Sequence, residues 1–349
     1  MESKGKILLV GGAGYIGSVL STKLISRGYS LNILDKMWFG RSGIDYVNSY
    51  VQFHDFKDIN IYESDMRVPP EKCFENVDVV VNLGGMSNDP TSEYNPKFAY
   101  ELNTESSISI AKKAKSYGID RYVFASTCSI YSGSNDINHH DNVYTEEEEV
   151  SPKYTYSKSK LDAEEGLLLI GEGFCPTILR KGTAFGLSPR MRFDLVVNAM
   201  YRSAKKDKVI NVFHGGQMWR PLVSVEDISE AYIKVIESDT SVVKNKIYNI
   251  SSDNLKISDI ATTIADAMND VCGFKPEVVL NNSGDGNIRS YQVSTKKIEK
   301  ELGFFSQSLN DSIKIEIKKF EEHNTTYPFD FDDDIHFNLA VMDKIFHEG

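Results

Sequence analysis

From residue 6 to about 180, short apolar runs rich in β-branched residues alternate with longer stretches of helical periodicity. This alternation predicts parallel strands joined by helical crossovers that cover both faces of a sheet. The predicted strands are Lys6–Val10, Ser30–Leu34, Asn60–Tyr62, Val77–Leu83, Arg121–Ser126 and Pro176–Leu179. The predicted helices, Tyr15–Arg27 and Thr104–Tyr117, each stop at a glycine, Gly28 or Gly118. The fold class is therefore predicted to be α/β, a Rossmann-type doubly wound parallel sheet with a smaller C-terminal α/β lobe.

A glycine-rich turn lies between the first predicted strand and the first predicted helix. Gly12, Gly14 and Gly17 satisfy GxGxxG spacing, and Gly11, Gly14 and Gly17 satisfy the tighter GxxGxxG. Glycines here let the backbone turn sharply and approach a pyrophosphate, and the helix N-terminus favours its negative charge. Asp35 ends the second strand, at the position from which a carboxylate accepts both ribose hydroxyls and repels a 2'-phosphate. The pattern predicts a dinucleotide site that prefers NAD to NADP.

Beyond this site the sequence gives a coarse division of the chain. We expect residues 1–180 to form the NAD-binding domain, completed by a segment near 220–252, and residues 181–349 to form mainly a substrate-binding lobe and an acidic tail. Asp332, Asp333 and Asp334 lie among aromatic residues in that tail. We expect a solvated terminal extension, with a surface cover or a subunit contact as the alternative.

Two Tyr-x-x-x-Lys pairs overlap in the segment 152–160, Tyr154 with Lys158 and Tyr156 with Lys160. A lysine one helical turn from a tyrosine can lower the tyrosine pKa enough for general base catalysis near neutral pH. Helical periodicity places Tyr156 and Lys160 on the apolar face of this helix and Lys158 on its polar face. Tyr156 and Lys160 are therefore the predicted catalytic pair, with a buried tyrosine and a snorkelling lysine as the structural alternative.

A hydroxyl group is expected from the loop that follows the Arg121–Ser126 strand. Ser126, Thr127 and Ser129 lie there, and such a hydroxyl can orient the oxygen that reacts. Ser and Thr in loops also cap local backbone, so the position alone leaves both roles open. Asp65, just past the third strand, could accept a hydrogen bond from an adenine amino group or could be an exposed loop carboxylate.

The chain resembles the extended short-chain dehydrogenase/reductases, the family of NAD-dependent sugar-nucleotide epimerases and dehydratases. The residues that carry this resemblance are Gly11–Gly17, Asn82–Gly85, Ser126–Thr127, Tyr131, Tyr156, Lys160, Leu179–Arg180, Phe185–Gly186, Asp285 and Arg289–Ser290. The resemblance implies a triad of Thr127, Tyr156 and Lys160. It also implies a homodimer and a nucleotide-sugar substrate whose diphosphate meets Asn198, Arg220 and Arg289 in the second lobe.

Together these arguments and the resemblance predict two sets of binding residues. The predicted cofactor contacts are Gly11, Gly14, Tyr15, Ile16, Gly17, Asp35, Asp65, Met66, Leu83, Gly84, Gly85 and Lys160. The predicted substrate contacts are Ser126, Thr127, Tyr156, Thr183, Asn198, Arg220 and Arg289.

Four positions depart from the family pattern. Cys128 and Ser129 replace the Asp-Glu pair with which dehydratases of the family act on the C5–C6 bond, so a 4,6-dehydratase is not expected. Thr183 replaces the asparagine that usually precedes the Tyr-Gly pair of the substrate lobe, and Ser132 replaces a glycine. These departures leave the identity of the sugar undetermined.

The formal net charge of -11 at pH 7 restricts the partners. Nucleic-acid binding depends on clustered Lys and Arg, so no nucleic-acid partner is expected. The early apolar run Ile7–Val10 is too short for a signal peptide or a membrane span, which predicts a cytoplasmic protein without a membrane partner. The cysteines lack CxxC spacing and His139–His140 lacks a nearby acidic or thiol ligand, so we expect free thiols and no metal.

These observations favour an NAD-dependent sugar-nucleotide epimerase, with C4 as the preferred carbon. In that hypothesis hydride leaves the sugar, the keto-sugar turns in the pocket, and hydride returns to the other face. The alternatives are a ketoreductase or dehydrogenase with net redox change, and a non-catalytic NAD-binding regulatory protein.

Overall fold

The computed structural model describes residues 3–54, 56, 58–133, 142–282 and 289–348. The strands are β1 Lys6–Val10, β2 Ser30–Asp35, β3 Ile59–Glu63, β4 Val79–Asn82, β5 Arg121–Thr127, β6 Val143–Tyr144, β7 Cys175–Lys181, β8 Thr183–Phe185, β9 Val209–Val212, β10 Trp219–Ser224, β11 Lys246–Ile250, β12 Asp253–Lys256, β13 Glu277–Leu280 and β14 Gln292–Val293. The α-helices are α1 Tyr15–Ser26, α2 Ser42–Phe53, α3 Asp89–Tyr94, α4 Pro96–Tyr100, α5 Ser107–Ser116, α6 Thr155–Leu168, α7 Val196–Asp207, α8 Val225–Glu237, α9 Thr240–Val243, α10 Ile257–Cys272, α11 Lys296–Leu302, α12 Leu309–Thr326 and α13 Asn338–Glu348. A π-helix, Glu101–Ser106, precedes α5. None of the helices in these ranges is long and apolar enough to span a membrane.

Seven strands of the described residues form one parallel sheet in the order β3-β2-β1-β4-β5-β7-β11. The strand order reverses between β1 and β4, which opens a crevice beyond the carboxyl ends of these strands. The predicted fold class, a doubly wound Rossmann-type sheet, is confirmed.

Successive residues of the central strands enter cores on opposite faces of this sheet. Leu9, Ile33 and Val81 pack toward α1 and α8, whereas Leu8 and Val80 pack toward α5 and α6. All five side chains are fully buried. Strands covered on both faces need apolar residues at nearly every position, which explains their continuous apolar runs. Each buried Leu, Ile or Val contributes about 1.5–3 kcal/mol to folding.

A separate hydrophobic core forms around α7, α10 and α12, and we call these three helices with their small sheets the second core. Tyr201 of α7, Ile264 of α10 and Phe320 of α12 are fully buried in it. The rings of Tyr201 and Phe320 lie 4.6 Å apart between centroids. The small sheets have the orders β12-β10-β8 and β13-β9.

The chain returns to the large sheet after its first passage through the second core. Strand β11 pairs with β7 in parallel, with Lys246 opposite Thr177 and Ile250 opposite Lys181. Helix α8 packs against α1 on one face of the same sheet. Residues 225–250 therefore cover and extend the large sheet, although they follow β8, α7 and β10 in sequence. The limits of the two domains stay a prediction.

Residues 327–348, which we call the C-terminal segment, pack across both parts of the molecule. Phe331 contacts Phe193 in the second core, with 5.2 Å between ring centroids. Met342 of α13 is fully buried in the core on the α5 side of the large sheet. The expectation of a solvated extension is therefore wrong. The aromatic residues of this segment pack against apolar surface that exists only in the folded chain. Their burial therefore decides the position of the segment despite its acidic residues.

Candidate active site

The glycine turn brings the start of α1 close to the ends of β1 and β4. Gly11 has φ +79°, and a β-carbon there would lie 2.9 Å from the amide nitrogen of Gly84. At Gly17, a β-carbon would lie 2.6 Å from the α-carbon of Gly12. Larger residues at either position would push the turn away from β4 or the helix away from the turn. The start of α1 lines the crevice, and a helix N-terminus in that place suits a pyrophosphate.

Asp35 holds the carboxyl end of β2 beside this turn. Its carboxylate oxygens accept hydrogen bonds from the amides of Ala13, at 3.0 Å, and Met37, at 2.7 Å. Burial raises the pKa of this carboxyl, while the two amides favour its charged form. Each carboxylate oxygen keeps further lone-pair capacity. Asp35 is thus fixed in position at the cavity and keeps acceptor capacity, which is compatible with its predicted ribose contact.

A cavity of about 340 Å³ joins the crevice of the large sheet to the second core. This volume lies in the range of small-molecule sites. The predicted residues that line the cavity are Gly11, Gly14, Tyr15, Ile16, Gly17, Asp35, Met66, Leu83, Gly84, Gly85, Ser126, Thr127, Tyr156, Lys160, Thr183, Arg220 and Arg289. The glycine turn, Asp35 and the predicted catalytic residues therefore share one cavity, as NAD and a second ligand would require.

Two predicted binding residues lie outside the lining of this cavity. Asp65 pairs with Arg67 at 2.7 Å. Asn198 is fully buried, accepts a hydrogen bond from the Gly186 amide at 3.0 Å and donates to the Tyr15 hydroxyl at 3.2 Å. In this structure Asn198 therefore supports the cavity wall behind Tyr15. The proposed ligand contacts of Asp65 and Asn198 gain no support from these positions. His139, His140 and Asp285 lie outside the described residues.

The two Tyr-x-x-x-Lys pairs lie on different faces at the start of helix α6, with Tyr154 as its N-cap residue. Tyr156 is half-buried in the cavity wall, and Lys160 is only 4% exposed, with its ammonium 4.7 Å from the centre of the Phe124 ring. Lys158 is exposed on the other side, while the ring of Tyr154 lies against the Arg289 guanidinium. The geometry therefore favours the Tyr156 and Lys160 pair for chemistry in the cavity.

The ionisation of this pair depends on burial and on neighbouring charges. Burial, with a smaller effect from the positive charge of Lys181, lowers the pKa of Lys160 to about 7. Burial also raises the pKa of Tyr156, the charge of Asp89 raises it further, and a hydrogen bond with Thr127 lowers it. A lysine that titrates near neutral pH beside a tyrosine is an arrangement suited to proton transfer.

Thr127 ends β5 at the same cavity. Its hydroxyl oxygen accepts a hydrogen bond from the Ser129 amide at 3.1 Å and lies 3.0 Å from the Ser129 hydroxyl. The Ser126 hydroxyl instead donates to Glu164 of α6. Thr127 is therefore the hydroxyl of this loop that is fixed beside Tyr156.

A buried ion pair fixes α6 against the sheet behind the catalytic pair. Glu164 of α6 pairs with Arg180 of β7 at 2.6 Å, and both side chains are at least 95% buried. Arg180 also donates to the Tyr131 hydroxyl at 2.8 Å, and that hydroxyl donates to Asn249 of β11 at 2.9 Å. Removing one member would leave a buried charge unpaired. The network therefore sets the position of Tyr156 and Lys160 relative to β5.

The two predicted arginines enter the cavity from the side of the second core. Arg220 of β10 donates to the carbonyl oxygens of Trp219, at 2.9 Å, and Arg289. Arg289 forms an ion pair with Asp89, the first residue of α3. Guanidinium groups bind phosphate oxygens through paired hydrogen bonds, so this wall of the cavity suits an anionic ligand.

Comparison with known proteins identifies the family. The sequence model of the NAD dependent epimerase/dehydratase family matches residues 7–251, which is more than two thirds of the chain. The chain belongs to this family. The family resemblance, an enzymatic function and NAD as the cofactor are thereby confirmed.

Individual relatives support the assignment to this family. A protein of Methanocaldococcus jannaschii with the provisional name UDP-glucose 4-epimerase is 26% identical over 92% of this chain and 100% of its own length. The UDP-glucuronic acid 4-epimerase of Bacillus cereus, solved with UDP-glucuronic acid and NAD, aligns with a TM-score of 0.76 and 20% identity, covering 91% of this chain and 99% of its own. The UDP-glucose 4-epimerase of Thermotoga maritima aligns with a TM-score of 0.75 and 21% identity over the same shares of the two chains. At these identities the structures support the fold.

Sequence reasoning missed several residues that line the cavity of this family member: Asp89, Lys181, Arg190, Arg192 and Asn338. Lys181 ends a strand at the carboxyl edge of the sheet, and that position was a usable signal. Asn338 lies in the C-terminal segment and donates to the Ser87 hydroxyl at 2.8 Å. Nothing local in the sequence marks such a contact, because its two residues are 251 positions apart.

Proposed function

We propose that this NAD dependent epimerase/dehydratase family member is a sugar-nucleotide 4-epimerase. One observation carries the proposal: Thr127, Tyr156 and Lys160 meet in the cavity that also holds the glycine turn and Asp35. When bound there, NAD supplies reversible acceptance and return of a hydride. The names of the relatives from Methanocaldococcus jannaschii and Thermotoga maritima agree with this activity.

The three residues divide the proton chemistry. Tyr156 removes the proton of the sugar hydroxyl as that carbon is oxidised and returns it when the carbon is reduced. The charge of Lys160 favours the phenolate form of Tyr156, which burial would otherwise disfavour. Thr127, fixed by the Ser129 amide, donates to the sugar oxygen and holds it between the reacting groups. Every group returns to its starting state once the keto-sugar has rotated in the pocket and has been reduced on its other face.

The surroundings of the triad argue against dehydration. Cys128 stands where a dehydratase of the family needs an acid, but its thiol is fully buried and donates to the Arg180 carbonyl oxygen at 3.0 Å. Burial raises the pKa of this thiol well above its usual range. A buried neutral thiol cannot protonate a leaving hydroxyl efficiently. The residues beside the triad therefore fit hydride abstraction and return without elimination.

The substrate side of the cavity is cationic. Arg220 and Arg289 approach from the second core, and Thr183 follows β7 at the same edge. We propose that the two arginines hold the diphosphate of a nucleotide sugar and that Thr183 contacts the sugar. A local cationic wall would allow a chain with net charge -11 to bind an anionic substrate.

Proton NMR of the protein incubated with NAD and a panel of UDP-, GDP-, dTDP- and CDP-hexoses tests the proposal, with NADH absorbance followed in parallel. We expect a 4-epimer of one panel member to form without net NADH. Stoichiometric NADH would instead establish a dehydrogenase. Binding of NAD and sugar nucleotides without any conversion would support a non-catalytic regulatory protein.

We further propose a cytoplasmic homodimer. The proposal of a dimer rests on the family resemblance, and that of a reducing compartment on the cysteines, since Cys73, Cys128, Cys175 and Cys272 are all free thiols. Light scattering coupled to size-exclusion chromatography checks the dimer, and a monomeric mass would contradict it. A nucleotide sugar is the proposed small-molecule partner, with no nucleic-acid or membrane partner.

A further inference from the structure

Lys181 is a cavity residue that belongs neither to the triad nor to the two arginines of the substrate side. It is the last residue of β7, lies opposite Thr127 in the strand register and is partly exposed where it lines the cavity. Its ammonium donates to the Ser126 carbonyl oxygen at 2.7 Å, which uses one of its three hydrogens. Lys181 is therefore held at the end of the sheet where the reacting groups meet.

The positive charge of Lys181 is not neutralised by an ion pair within the described part of the chain. Glu164, whose negative charge acts on it, is already paired with Arg180 at 2.6 Å. Lys160 brings a second ammonium to the same cavity and also lacks an ion pair among the described residues. Burial of a charge without a partner is costly, so two such groups in one cavity indicate a use other than packing.

The oxidation of the sugar removes a positive charge from this end of the cavity. Tyr156 takes the hydroxyl proton, and the hydrogen on the same carbon passes with two electrons to NAD as hydride. The nicotinamide ring is positively charged in NAD and neutral in NADH. Because hydride passes only between atoms in contact, this ring must come beside the carbon whose oxygen Tyr156 and Thr127 hold. Lys181, opposite Thr127, is placed to act on the charge of that ring.

We propose that the ammonium of Lys181 shifts the redox equilibrium of the bound cofactor toward NADH, because it repels the positively charged ring of NAD and not the neutral ring of NADH. This inference rests on the proposed function, since an epimerase must hold NADH and the keto-sugar together until the hydride returns. A cavity that stabilises NADH serves that requirement. Lys181 is thus a residue that adjusts the cofactor, separate from the proton chemistry of the triad.

Fluorescence titration with NADH, and competition of NADH by NAD, measures both affinities without sugar at about pH 6. Both forms carry the same adenosine and pyrophosphate, so the ratio of their Kd values reports on the nicotinamide ring. Both lysines are charged at this pH, because burial lowers the pKa of Lys160 only to about 7 and that of Lys181 only to about 8. Burial raises the pKa of Tyr156 and of Cys128, which are therefore neutral, and Glu164 stays paired. Substitution of Lys181 raises the pKa of Lys160 and so leaves Lys160 charged.

In Lys181→Met we expect the Kd of NAD relative to that of NADH to fall about tenfold, since the repelling charge is gone. Lys181→Arg, which keeps the charge, should keep the wild-type ratio. Lys158→Met, on the exposed side of α6, is the control for the loss of a lysine outside the cavity and should also keep it. Lys181→Gln removes the same charge and provides a second neutral variant if Lys181→Met does not fold.

Other results would identify which idea fails. If Lys181 serves only to support the Ser126 carbonyl group, its replacement will change the affinities for NAD and NADH by the same factor. That result, or an unchanged ratio in a folded neutral variant, would overturn the inference. Absence of a 4-epimer in the NMR assay would contradict the proposed function, whereas the Kd ratio, measured without sugar, would still decide whether Lys181 acts on the cofactor.

Discussion

Two amines lie close together at the carboxyl ends of β5 and β7. Lys181 is the last residue of β7 and lies opposite Thr127 in the strand register, and its ammonium donates to the Ser126 carbonyl oxygen at 2.7 Å. Burial lowers the pKa of Lys181 to about 8, and burial together with the charge of Lys181 lowers that of Lys160 to about 7. Each ammonium therefore disfavours the charge of the other, so their proton occupancy is coupled near neutral pH.

Replacement of Lys181 by methionine should raise the pKa of Lys160, because it removes a positive charge from the same cavity. Lys160 is charged below its pKa and neutral above it, so the variant keeps the charge that supports the Tyr156 phenolate to higher pH. We expect the alkaline loss of kcat/KM to move upward by about one pH unit. Lys158→Met, on the exposed side of α6, is the matched control and should leave the profile in place. An identical profile in Lys181→Met would contradict the coupling.

Tyr156→Phe should abolish the chemistry while leaving NAD and sugar-nucleotide binding largely unchanged, since it removes one hydroxyl and keeps the ring. A positioned acid-base group contributes about 10²–10⁴-fold to a rate, which sets the expected fall in kcat. Tyr154→Phe retains the ring that lies against Arg289 and is the matched control with near wild-type activity. Full activity of Tyr156→Phe, measured by the epimer NMR assay, would exclude Tyr156 as the base.

At the scale of elements, sequence patterns predicted those parts of the fold that depend on local chemistry. The strand Lys6–Val10 and the start of α1 at Tyr15 match the prediction, because an apolar run followed by a glycine turn sets both boundaries. The helix predicted from Thr104 begins as the π-helix Glu101–Ser106, which a period of 3.6 residues cannot reveal. The position of Lys181 beside Lys160 depends on how β7 and α6 pack together, and spacing along the chain does not contain that information.

The glycine turn yields a prediction for α1 and the cofactor. Gly17→Ala would place a methyl group against the backbone of Gly11 and Gly12, so the helix must move away from the turn. Overpacking of this kind costs about 1–3 kcal/mol. We expect NAD affinity, measured by fluorescence titration, to fall at least about tenfold, since the amides that face the pyrophosphate move with the helix.

Gly118→Ala provides the control for that experiment. Gly118 has φ +79° but open space around its α-carbon, so alanine there meets only backbone strain of about 1–2 kcal/mol. It should lower the melting temperature without changing NAD affinity. Equal effects of the two substitutions on NAD binding would show that general destabilisation accounts for the loss.

At the scale of the whole molecule, three distant parts of the chain meet beside the cavity. Arg192 forms a bidentate ion pair with Asp194 and donates to the Ser87 hydroxyl at 3.0 Å. Asn338 of the C-terminal segment also donates to Ser87 and accepts from Arg190 at 2.7 Å. The loop after β4, the start of the second core and the C-terminal segment are thus connected by side-chain hydrogen bonds.

Asn338→Ala should therefore weaken the hydrogen bonds that join these three parts of the chain beside the proposed NAD site. The substitution leaves one buried donor of Arg190 without its acceptor, which costs about 1–3 kcal/mol of unfolding free energy. We expect faster NAD dissociation in stopped-flow measurements and a lower urea midpoint. Leu339→Ala, an exposed neighbour in the same helix, should change neither quantity appreciably. If NAD leaves both variants at the wild-type rate, the C-terminal segment has no part in retaining the cofactor.

The return of the chain to the large sheet at β11 restricts how family members can be recombined. Strand β11 covers the edge of β7, so residues 1–181 alone would present an uncovered row of backbone donors and acceptors, a known route to self-association. A chimera that takes its substrate-binding half from another enzyme cannot use a single junction near residue 181. It must keep α8 and β11 with the parent sheet and so requires junctions on both sides of residues 225–250. The second core, which we propose binds the substrate, is therefore transferable only as interleaved segments and not as one block.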